Sequence, residues 1–367
     1  MKILHIGNLK SGIDTYVRNT VALAGDELNF VIVGGADDNS KPYLRKGIPV
    51  KNYSICLYRA LNPIKDVKAI IQAIGVVRKE KPDAIHCHSA KGGMVGRIVG
   101  FLTGVKTFYT PHAFSFLSAE SSKKRMVFLW LEKLTKFKTN ILACSETEKE
   151  LAIKEVHYKP NRCYAWNNAI PKIEDADIVE PKGLDKDEQF IISIGRPSYQ
   201  KNPLLMVEIM KRVHQHHKGI KFYLLGVGFY SPMLEEMKAL IKKYNLEEVI
   251  KLLPWADHKE TLGYLKQSVM YLTTSLYEGL PIAVLEAMAM EKAIVASDVM
   301  GNRDCVKQGY NGYLLPMDAD VFAEHICKLL DNDTALHDLG KHSVEYFQTD
   351  FYINNRIKDL EKIYLDR

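Results

Sequence analysis

The sequence has no long apolar run and no paired cysteines. No stretch of its 367 residues approaches the ~20 consecutive apolar residues that a membrane-spanning helix requires. The six cysteines lie far apart, without a CxxC pair or zinc-type spacing, which indicates reduced and mostly buried thiols. The N-terminus, MKILHIG, leads directly into a strand pattern and lacks the regions of a signal peptide. We therefore expect a cytoplasmic globular protein.

Several catalytic signatures are also missing. The sequence has no GxSxG elbow and no GxxxxGK[ST] loop, which argues against serine-hydrolase and P-loop chemistry. No DxD-type motif follows the predicted strands of the candidate site. His86 and His88 share one face of a strand, but the sequence offers no obvious third ligand beside them. We expect neither a metal nor a cofactor.

Positive charge is concentrated in one half of the chain. Residues 1–185 hold 28 Lys and Arg against 19 Asp and Glu, whereas the remaining residues hold 22 against 25. Residues 118–138, SAESSKKRMVFLWLEKLTKFK, are basic at both ends and apolar around Trp130. The segment is either a helix on an anionic membrane surface or a core helix with a basic exposed side. The charge of this half favours the membrane, and nothing indicates a nucleic-acid partner.

Short apolar runs alternate with amphipathic stretches along the chain. The strand-like runs are KILHI, NFVIVG, DAIHCHS, TFYTP, ILACS, FIISIG, KFYLLG, IKLLPW, MYLTTS and AIVASD. This alternation predicts an α/β protein with parallel sheets and crossover helices. Residues 167–189 interrupt it with a polar, proline-containing segment, which we interpret as an interdomain linker.

The linker divides the chain into two doubly wound domains. We expect one Rossmann-like domain at residues 1–170 and a second at 171–345. Residues 346–367 have helical spacing and are predicted to form a helix that packs across both domains. Open sheets of this kind bind ligands at the carboxyl ends of their strands, so a shared cleft is expected.

The segment LYEGLPIAVLEAMA, residues 276–289, carries two carboxylates eight residues apart. Pro281 suits the first position of a helix, whose N-terminus would attract a phosphate. Helical rise separates Glu278 from Glu286 by up to ~12 Å, more than a glycosidase pair allows. The spacing favours a sugar at Glu278, a diphosphate at the helix end and a ribose at Glu286, against the alternative of two solvated glutamates.

The segment SIGRPSYQKNP, residues 193–203, supplies positive charge. Arg196 follows a predicted strand, and Lys201 precedes a helix that is predicted to start near Pro203. Together the two cations could neutralise a diphosphate.

These segments resemble the retaining glycosyltransferases of family 4. GRPSYQKNP, EGLPIAVLE and SDVMGNRDCVKQGYNGYLLP are similar to their C-terminal domain, whereas HCHSAKGGMVGR and TPHAFSF are similar to their N-terminal domain. The resemblance extends over essentially the whole chain and is strongest for bacterial capsule, exopolysaccharide and O-antigen enzymes. It implies the GT-B fold, in which two Rossmann-like domains face a cleft and a C-terminal helix crosses back. In this fold residues 1–170 would form the acceptor-binding domain and residues 171–345 the domain that binds the nucleotide-sugar donor.

The resemblance also implies roles for individual residues. Arg196 and Lys201 would hold the donor diphosphate, and Glu286 would bind the ribose hydroxyls. Glu278 would bind hydroxyls of the transferred sugar. His112 in TPHAF matches the family histidine that touches this sugar close to the reacting carbon, although such a histidine can also be a structural residue at a strand end.

Backbone groups complete the implied donor site. The N–H groups of Gly279 and Leu280 would lie near the sugar, and Gly12 would allow a phosphate or acceptor to approach the first helix. Two positions depart from the family pattern, with Ser11 where a first glycine is usual and Ala169 where the linker usually has glycine.

The resemblance implies a retaining, metal-independent hexosyltransferase. It would move a sugar from a nucleoside-diphosphate sugar, with UDP the commoner carrier, to a glycan acceptor that is lipid-linked, in capsule or lipopolysaccharide synthesis. Such an enzyme would be peripheral on the inner face of the plasma membrane. A nucleotide-sugar 2-epimerase of the same fold, which needs no acceptor, and a non-catalytic nucleotide-sugar sensor are the alternatives.

Overall fold

A computed structural model describes residues 1–36, 41–58, 62–228 and 230–366. The chain forms two compact units. The N-terminal unit comprises Met1–Pro171 together with Tyr352–Arg367, and the C-terminal unit comprises Lys172–Phe351. The division at Pro171 lies inside the segment 167–189 that the composition singles out as a linker.

The N-terminal unit is built on a seven-stranded parallel sheet of strand order β5-β2-β1-β6-β7-β8-β9. Its strands, with a separate antiparallel pair β3 and β4, are β1 (Lys2–Ile6), β2 (Asn29–Gly35), β3 (Leu44–Arg45), β4 (Ile48–Pro49), β5 (Lys51–Ile55), β6 (Ala84–His88), β7 (Lys106–Thr110), β8 (Asn140–Ala143) and β9 (Cys163–Ala165). Its helices before the linker are α1 (Gly12–Leu23), α2 (Pro63–Glu80), α3 (Ser89–Thr103), α4 (Ser122–Leu134) and α5 (Glu146–Lys154).

Both faces of this sheet are covered by helices. One apolar core includes residues of α2, α3 and α5. The other includes residues of α1 and of the last helix of the chain. Because the strands are buried on both sides, they appear in the sequence as nearly continuous apolar runs such as KILHI.

Helix α3 approaches the sheet closely through glycines four residues apart. A Cβ atom built on Gly92 would lie 2.6 Å from the Cα of Gly7, and one on Gly96 would lie 2.4 Å from the Cβ of Cys87. A Cβ atom on Gly100 would lie 1.9 Å from the Oγ1 of Thr107. Part of the HCHSAKGGMVGR pattern is therefore explained by packing.

The C-terminal unit has a six-stranded parallel sheet of strand order β12-β11-β10-β13-β14-β15, the classical doubly wound arrangement. The strands are β10 (Phe190–Ile194), β11 (Lys221–Val227), β12 (Ile250–Pro254), β13 (Met270–Thr273), β14 (Ile294–Ser297) and β15 (Gly312–Leu315). The helices are α6 (Pro203–His216), α7 (Leu234–Lys243), α8 (His258–Gln267), α9 (Ile282–Ala289), α10 (Asn302–Cys305), α11 (Ala319–Leu330) and α12 (Asp333–Asp350). The core on one face joins the sheet to α6, α7, α11 and α12.

The C-terminal stretch differs from its prediction as a single helix over 346–367. Helix α12 ends at Asp350 in the C-terminal unit, and a second helix, α13 (Ile353–Leu365), belongs to the N-terminal unit. Between them Tyr352 has an extended backbone and forms a parallel bridge with Ile170. The predicted end, Arg367, lies outside the described residues. The apolar spacing continues through the break, which explains why periodicity alone joined the two helices.

Candidate functional site

The carboxylate of Glu278 is the centre of a polar cluster in the C-terminal unit. It is only 6% exposed and lies in the loop that follows strand β13. The Nζ atom of Lys201 lies 2.7 Å from its Oε1, and the hydroxyl of Ser275 donates to the same oxygen at 2.7 Å. The amide of Gln200 donates to Oε2 at 3.1 Å. The carboxylate is therefore held in one orientation, and the second lone pair of Oε2 can accept from a hydroxyl group of a ligand.

A second layer of hydrogen bonds fixes the Glu278 loop. Ser297 at the end of β14 donates to the carbonyl of Ser275 at 2.6 Å, and Asn302 donates to the carbonyl of Ser297 at 3.0 Å. Gly301 has a φ of +83°, and a Cβ atom there would lie 2.7 Å from that of Glu278. Only glycine fits this position, which accounts for it in the SDVMGNRD segment.

Lys201 reaches Glu278 across the end of strand β10. It lies in a 3₁₀ turn, Tyr199–Lys201, just before α6, which begins at Pro203 as predicted. A Cβ atom on Gly195 would lie 3.0 Å from the Cε of Lys201, and the φ of Gly195 is +149°. The glycine thus leaves room for the side chain of Lys201. The neighbouring Arg196 is half-buried, and its guanidinium lies 5.3 Å from the ring centroid of Tyr230.

Helix α9 begins one residue later than predicted. Pro281 has an extended backbone and is the N-cap residue, so the first helical residue is Ile282. The N–H of Val284 donates to the carbonyl of Pro281 at 3.1 Å, whereas the N–H groups before it lie where a helix offers no acceptor and carry the positive end of the helix dipole. Gly279 and Leu280, both buried, join Glu278 to this end of the helix.

Glu286 lies inside α9 and is 7% exposed. Its Oε1 lies 2.8 Å from the Nε2 of His258, the first residue of α8. The hydrogen bond and charge of Glu286 raise the pKa of His258 above its ordinary value. A pair of this kind can accept vicinal hydroxyl groups on the carboxylate and change its protonation when a ligand binds.

His112 lies in a strained turn after strand β7 in the N-terminal unit. His112 and Ala113 have φ angles of +52° and +72°, unusual for residues other than glycine. The buried carboxylate of Glu148 holds the turn, because it accepts from the N–H of Ala113 at 2.7 Å and from that of Cys144 at 2.9 Å. Such strain costs of order 1–3 kcal/mol and is typical of functional sites.

Gly12 is the exposed first residue of α1. The preceding Ser11, which replaces the expected glycine, has a φ of +54° and a ψ of −132°, a conformation that favours glycine. One turn into the helix, the ring of Tyr16 contacts that of His112, with 5.3 Å between their centroids. The start of α1 and the His112 turn therefore form one neighbourhood.

Buried histidines lie behind His112. Nitrogen atoms of His5, His86 and His88 lie within 4.8 Å of one another, so the third ring that the sequence did not reveal comes from β1. The imidazole of His86 is hydrogen-bonded to Tyr364 at 2.6 Å and to Thr110 at 2.8 Å. Protein groups therefore occupy both nitrogens of His86.

Helix α4, the predicted membrane-surface segment, exposes apolar side chains. Met126 is 66% exposed, Trp130 is 60% exposed, and Val127 and Leu134 are also exposed. On the inner side, the carboxylate of Glu132 lies 2.9 Å from the guanidinium of the buried Arg97 in α3. The helix is thus fastened to the unit while its outer face remains uncovered. Within the described ranges, no helix has both the length and the hydropathy for a membrane crossing.

Comparison with known proteins finds a matching family model for each of the two units. A family model described as "Glycosyl transferases group 1" matches residues 174–345, and one described as "Glycosyl transferase 4-like domain" matches residues 11–164. UDP-Gal:alpha-D-GlcNAc-diphosphoundecaprenol alpha-1,3-galactosyltransferase of Escherichia coli is 31% identical over 326 residues, which cover 84% of this chain and 82% of that protein.

Solved structures share the fold at low sequence identity. Sucrose-phosphate synthase from Thermosynechococcus elongatus has a TM-score of 0.86 and 18% identity, covering 100% of this chain and 98% of its own. Anabaena HepE in complex with UDP and glucose has a TM-score of 0.82 and 18% identity, covering 100% of both chains. The predicted GT-B architecture is confirmed, and the chain belongs to the glycosyltransferase family whose members combine a 4-like N-terminal domain with a group 1 C-terminal domain.

Proposed function

We propose that the protein is a retaining hexosyltransferase that moves a sugar from a UDP-sugar to a lipid-linked glycan. The observation that carries this proposal is the buried carboxylate of Glu278, held by Lys201, Gln200 and Ser275 at the start of helix α9. A carboxylate fixed in this way is suited to the hydroxyls of a sugar that must be oriented for reaction.

In this proposal the leaving diphosphate is stabilised by fixed positive charge. Arg196 and Lys201 supply two cations, and the N-terminus of α9 supplies a helix dipole. Groups that are already in place stabilise the negative charge that develops in the transition state most effectively. These groups take the role that a divalent cation has in other transferases. Glu286 binds the ribose hydroxyls, and His112 contacts the transferred sugar. Retention of the anomeric configuration follows the family resemblance.

The acceptor is proposed to be lipid-linked, and the site of action a membrane surface. The Escherichia coli relative is named for an acceptor on diphosphoundecaprenol. In this chain helix α4 has an exposed apolar face, and Phe101 of α3 and Phe137 are also exposed and stack with their ring centroids 4.6 Å apart. Lys123, Lys124 and Lys138 are exposed near the same helix, which suits an anionic bilayer. The enzyme would then bind the inner face of the plasma membrane peripherally during surface-glycan synthesis.

A donor panel tests the proposal. UDP- and GDP-linked hexoses are incubated with the protein and with GlcNAc-diphosphoundecaprenol, and lipid-linked product and free nucleotide are measured. We expect transfer from a UDP-hexose that requires the acceptor, together with thermal stabilisation by UDP. Conversion of the donor sugar without an acceptor would identify an epimerase instead. No stabilisation by any nucleotide or nucleotide sugar would contradict the donor site.

A further inference from the structure

The imidazoles of His5, His88 and His112 form a hydrogen-bonded chain that leads from the core of the N-terminal unit to the proposed sugar contact. The Nδ1 of His5 lies 2.8 Å from the Nε2 of His88, and the Nδ1 of His88 lies 3.1 Å from the Nε2 of His112. The rings of His5 and His88 are nearly parallel, as are those of His88 and His112. His5 and His88 are fully buried, whereas His112 is half-buried.

All three imidazoles are neutral at physiological pH. Burial lowers the pKa of His5 to about 3 and also lowers the pKa of His88 and His112. Each neutral ring has one N–H donor and one acceptor nitrogen, so each hydrogen bond in the chain needs a proton from one side only. The protons must therefore all point the same way, either toward His112 or toward His5.

The neighbouring His86 has a fixed tautomer and cannot accept a hydrogen bond from His5. The hydroxyl of Thr110 donates to the carbonyl of Leu142, so its oxygen accepts from the Nε2–H of His86. The other ring nitrogen of His86 then accepts from the hydroxyl of Tyr364. Both nitrogens of His86 are thereby engaged.

The buried end of the histidine chain, at His5, decides which way the protons of its hydrogen bonds point. The Nε2 of His5 is buried and has no hydrogen-bond partner among the described residues. If the protons pointed toward His5, this atom would carry a buried N–H without an acceptor, which is rarer and less favourable in proteins than an unused acceptor. With the protons pointing toward His112, the Nδ1–H of His5 donates to His88 and the Nδ1–H of His88 donates to His112.

We propose that His88, oriented by His5, is a positioning residue that fixes His112 in the tautomer with its proton on Nδ1. The Nε2 of His112 is occupied by His88, so a ligand that reaches this ring meets a neutral N–H donor. His112 then donates a hydrogen bond to a sugar oxygen and does not act as a general base. This inference rests on the proposed sugar contact of His112, but the tautomer itself can be measured without any substrate.

Nitrogen NMR of histidine-labelled protein tests the tautomer directly. Signals of His112 are assigned by their disappearance in His112→Gln, and the ¹⁵N shifts report which ring nitrogen carries the proton. In the wild-type protein we expect a protonated Nδ1 and an unprotonated Nε2 at pH 7.5. The reverse assignment would overturn the proposal. So would stoichiometric zinc in protein purified without chelator, since a metal would bind unprotonated nitrogens of these rings.

Matched variants separate positioning from packing. Asparagine at position 88 keeps an amide N–H near the place of Nδ1, whereas leucine has a similar size and no donor. His88→Leu is expected to release the Nε2 of His112, so that the Nε2–H tautomer appears, and to lower kcat/KM about tenfold, the worth of one hydrogen bond. His88→Asn is expected to keep the wild-type tautomer and to recover most of the loss.

A second pair of variants guards against misfolding at position 88. His5→Leu removes the donor to His88 and His5→Asn retains it, so the same contrast in tautomer is expected one link further from the ligand. An unchanged His112 tautomer in both leucine variants would overturn the proposed positioning of His112 by His88 and His5, and it would leave the proposed function intact. Absence of transfer by the wild-type protein would instead contradict the proposed function, while the NMR result would still show whether His88 positions His112.

Discussion

At the scale of single residues, the pair formed by Glu286 and His258 is expected to couple nucleotide binding to proton release. The carboxylate of Glu286 raises the pKa of His258, so this histidine is more protonated than usual near neutral pH. If ribose hydroxyls take the hydrogen bond to Glu286, His258 loses its acceptor and its pKa falls. Binding of UDP should then release protons, and the affinity should rise as the pH increases through the raised pKa of His258.

Calorimetry in buffers of different ionisation enthalpy measures this proton release. We expect a fraction of a proton to leave on binding of UDP to the wild-type protein between pH 6.5 and 7.5. In Glu286→Gln the pKa of His258 should return toward its ordinary value and the release should vanish. Proton uptake on binding would show that the ribose does not displace His258.

Ser11 has a backbone conformation that is unfavourable for a residue with a side chain. Its φ of +54° and ψ of −132° suit glycine, so Ser11→Gly should relieve strain and raise the free energy of unfolding by about 1 kcal/mol. The greater freedom of glycine in the unfolded chain reduces this gain. Ser122→Gly in the first turn of α4 is the control, and it should destabilise the protein. A lower melting temperature of Ser11→Gly would contradict the strain at this position.

The sequence singles out candidate site residues mainly by their charge. Glu278, Glu286 and Lys201 were identified by type and spacing, and the structure joins Glu278 to Lys201. Ser275, Gln200, His258 and Gly301 were missed, because hydroxyl, amide and imidazole groups are common in loops and only the fold brings these residues together. Gly301 had a detectable signal, as a glycine within SDVMGNRD, but its contact with Glu278 depends on the packing of two loops.

At the scale of secondary-structure elements, the strands inside the two large sheets were predictable, whereas the edge strands β5, β9 and β15 were not. KILHI and FIISI are buried along their whole length or nearly so, which leaves a continuous apolar run. β5 is mostly exposed, and β9 has three residues, so neither has such a run. β15 begins with Gly312, and its two middle residues are only half-buried. The division between α12 and α13 was missed because it depends on the bridge between Tyr352 and Ile170.

The outer face of helix α4 gives a test of membrane binding. Val127→Ser combined with Trp130→Ser removes two exposed apolar side chains without touching the inner contact of Glu132. Binding to vesicles of phosphatidylcholine with phosphatidylglycerol should weaken about tenfold or more, because each apolar side chain contributes roughly 1–3 kcal/mol when it enters the bilayer. Cosedimentation with the vesicles measures the change.

The control for this test is an exposed apolar side chain elsewhere in the same unit. Ile48→Ser in β4 is expected to leave vesicle binding unchanged. Wild-type binding to pure phosphatidylcholine should be weaker than to the anionic mixture, because the lysines near α4 add electrostatic attraction. Equal binding by the double variant would contradict the membrane proposal, and a dimer that the double variant abolishes would assign the face to a second copy of the chain.

At the scale of the whole molecule, buried neutral histidines make the stability of the N-terminal unit sensitive to acid. Burial lowers the pKa of His5, His86 and His88 below the ordinary value of 6.5, whereas the unfolded chain binds protons at that value. Their stabilisation is therefore complete above pH 6.5 and is lost as the pH falls toward the lowered pKa values. For His5 alone, whose folded pKa is about 3, the loss between pH 7 and pH 5 is ~2 kcal/mol.

Denaturant unfolding at a series of pH values measures this loss. Glu80 does not contribute in this window, because its pKa is lowered from 4.5 to about 2 and its effect appears only at lower pH. The raised pKa of His258 acts in the opposite direction, but this side chain is largely exposed and its effect is small. His5→Leu should reduce the pH slope by about one proton. A free energy of unfolding that stays constant from pH 7 to pH 5 would contradict the neutral, buried state of the histidines.

Lys201 and Glu278 are proposed to act together on the donor, and the catalytic constants of their variants test this. Lys201→Met leaves Glu278 without its cation, so stability and transfer should both fall, with kcat/KM reduced about 100-fold or more. Adding Glu278→Gln to this variant removes the unpaired charge and should restore most of the stability. Glu235→Gln, on an exposed helix position, is the control that should change neither.

The decisive measurement is kcat/KM of the Lys201→Met/Glu278→Gln variant for UDP-sugar transfer, at a pH and temperature where it is as stable as the wild-type protein. We expect transfer to remain at least 100-fold below the wild-type value, because both the diphosphate contact and the sugar contact are missing. Recovery of transfer together with stability would show instead that Lys201 and Glu278 only hold the loop in place and do not act on the donor.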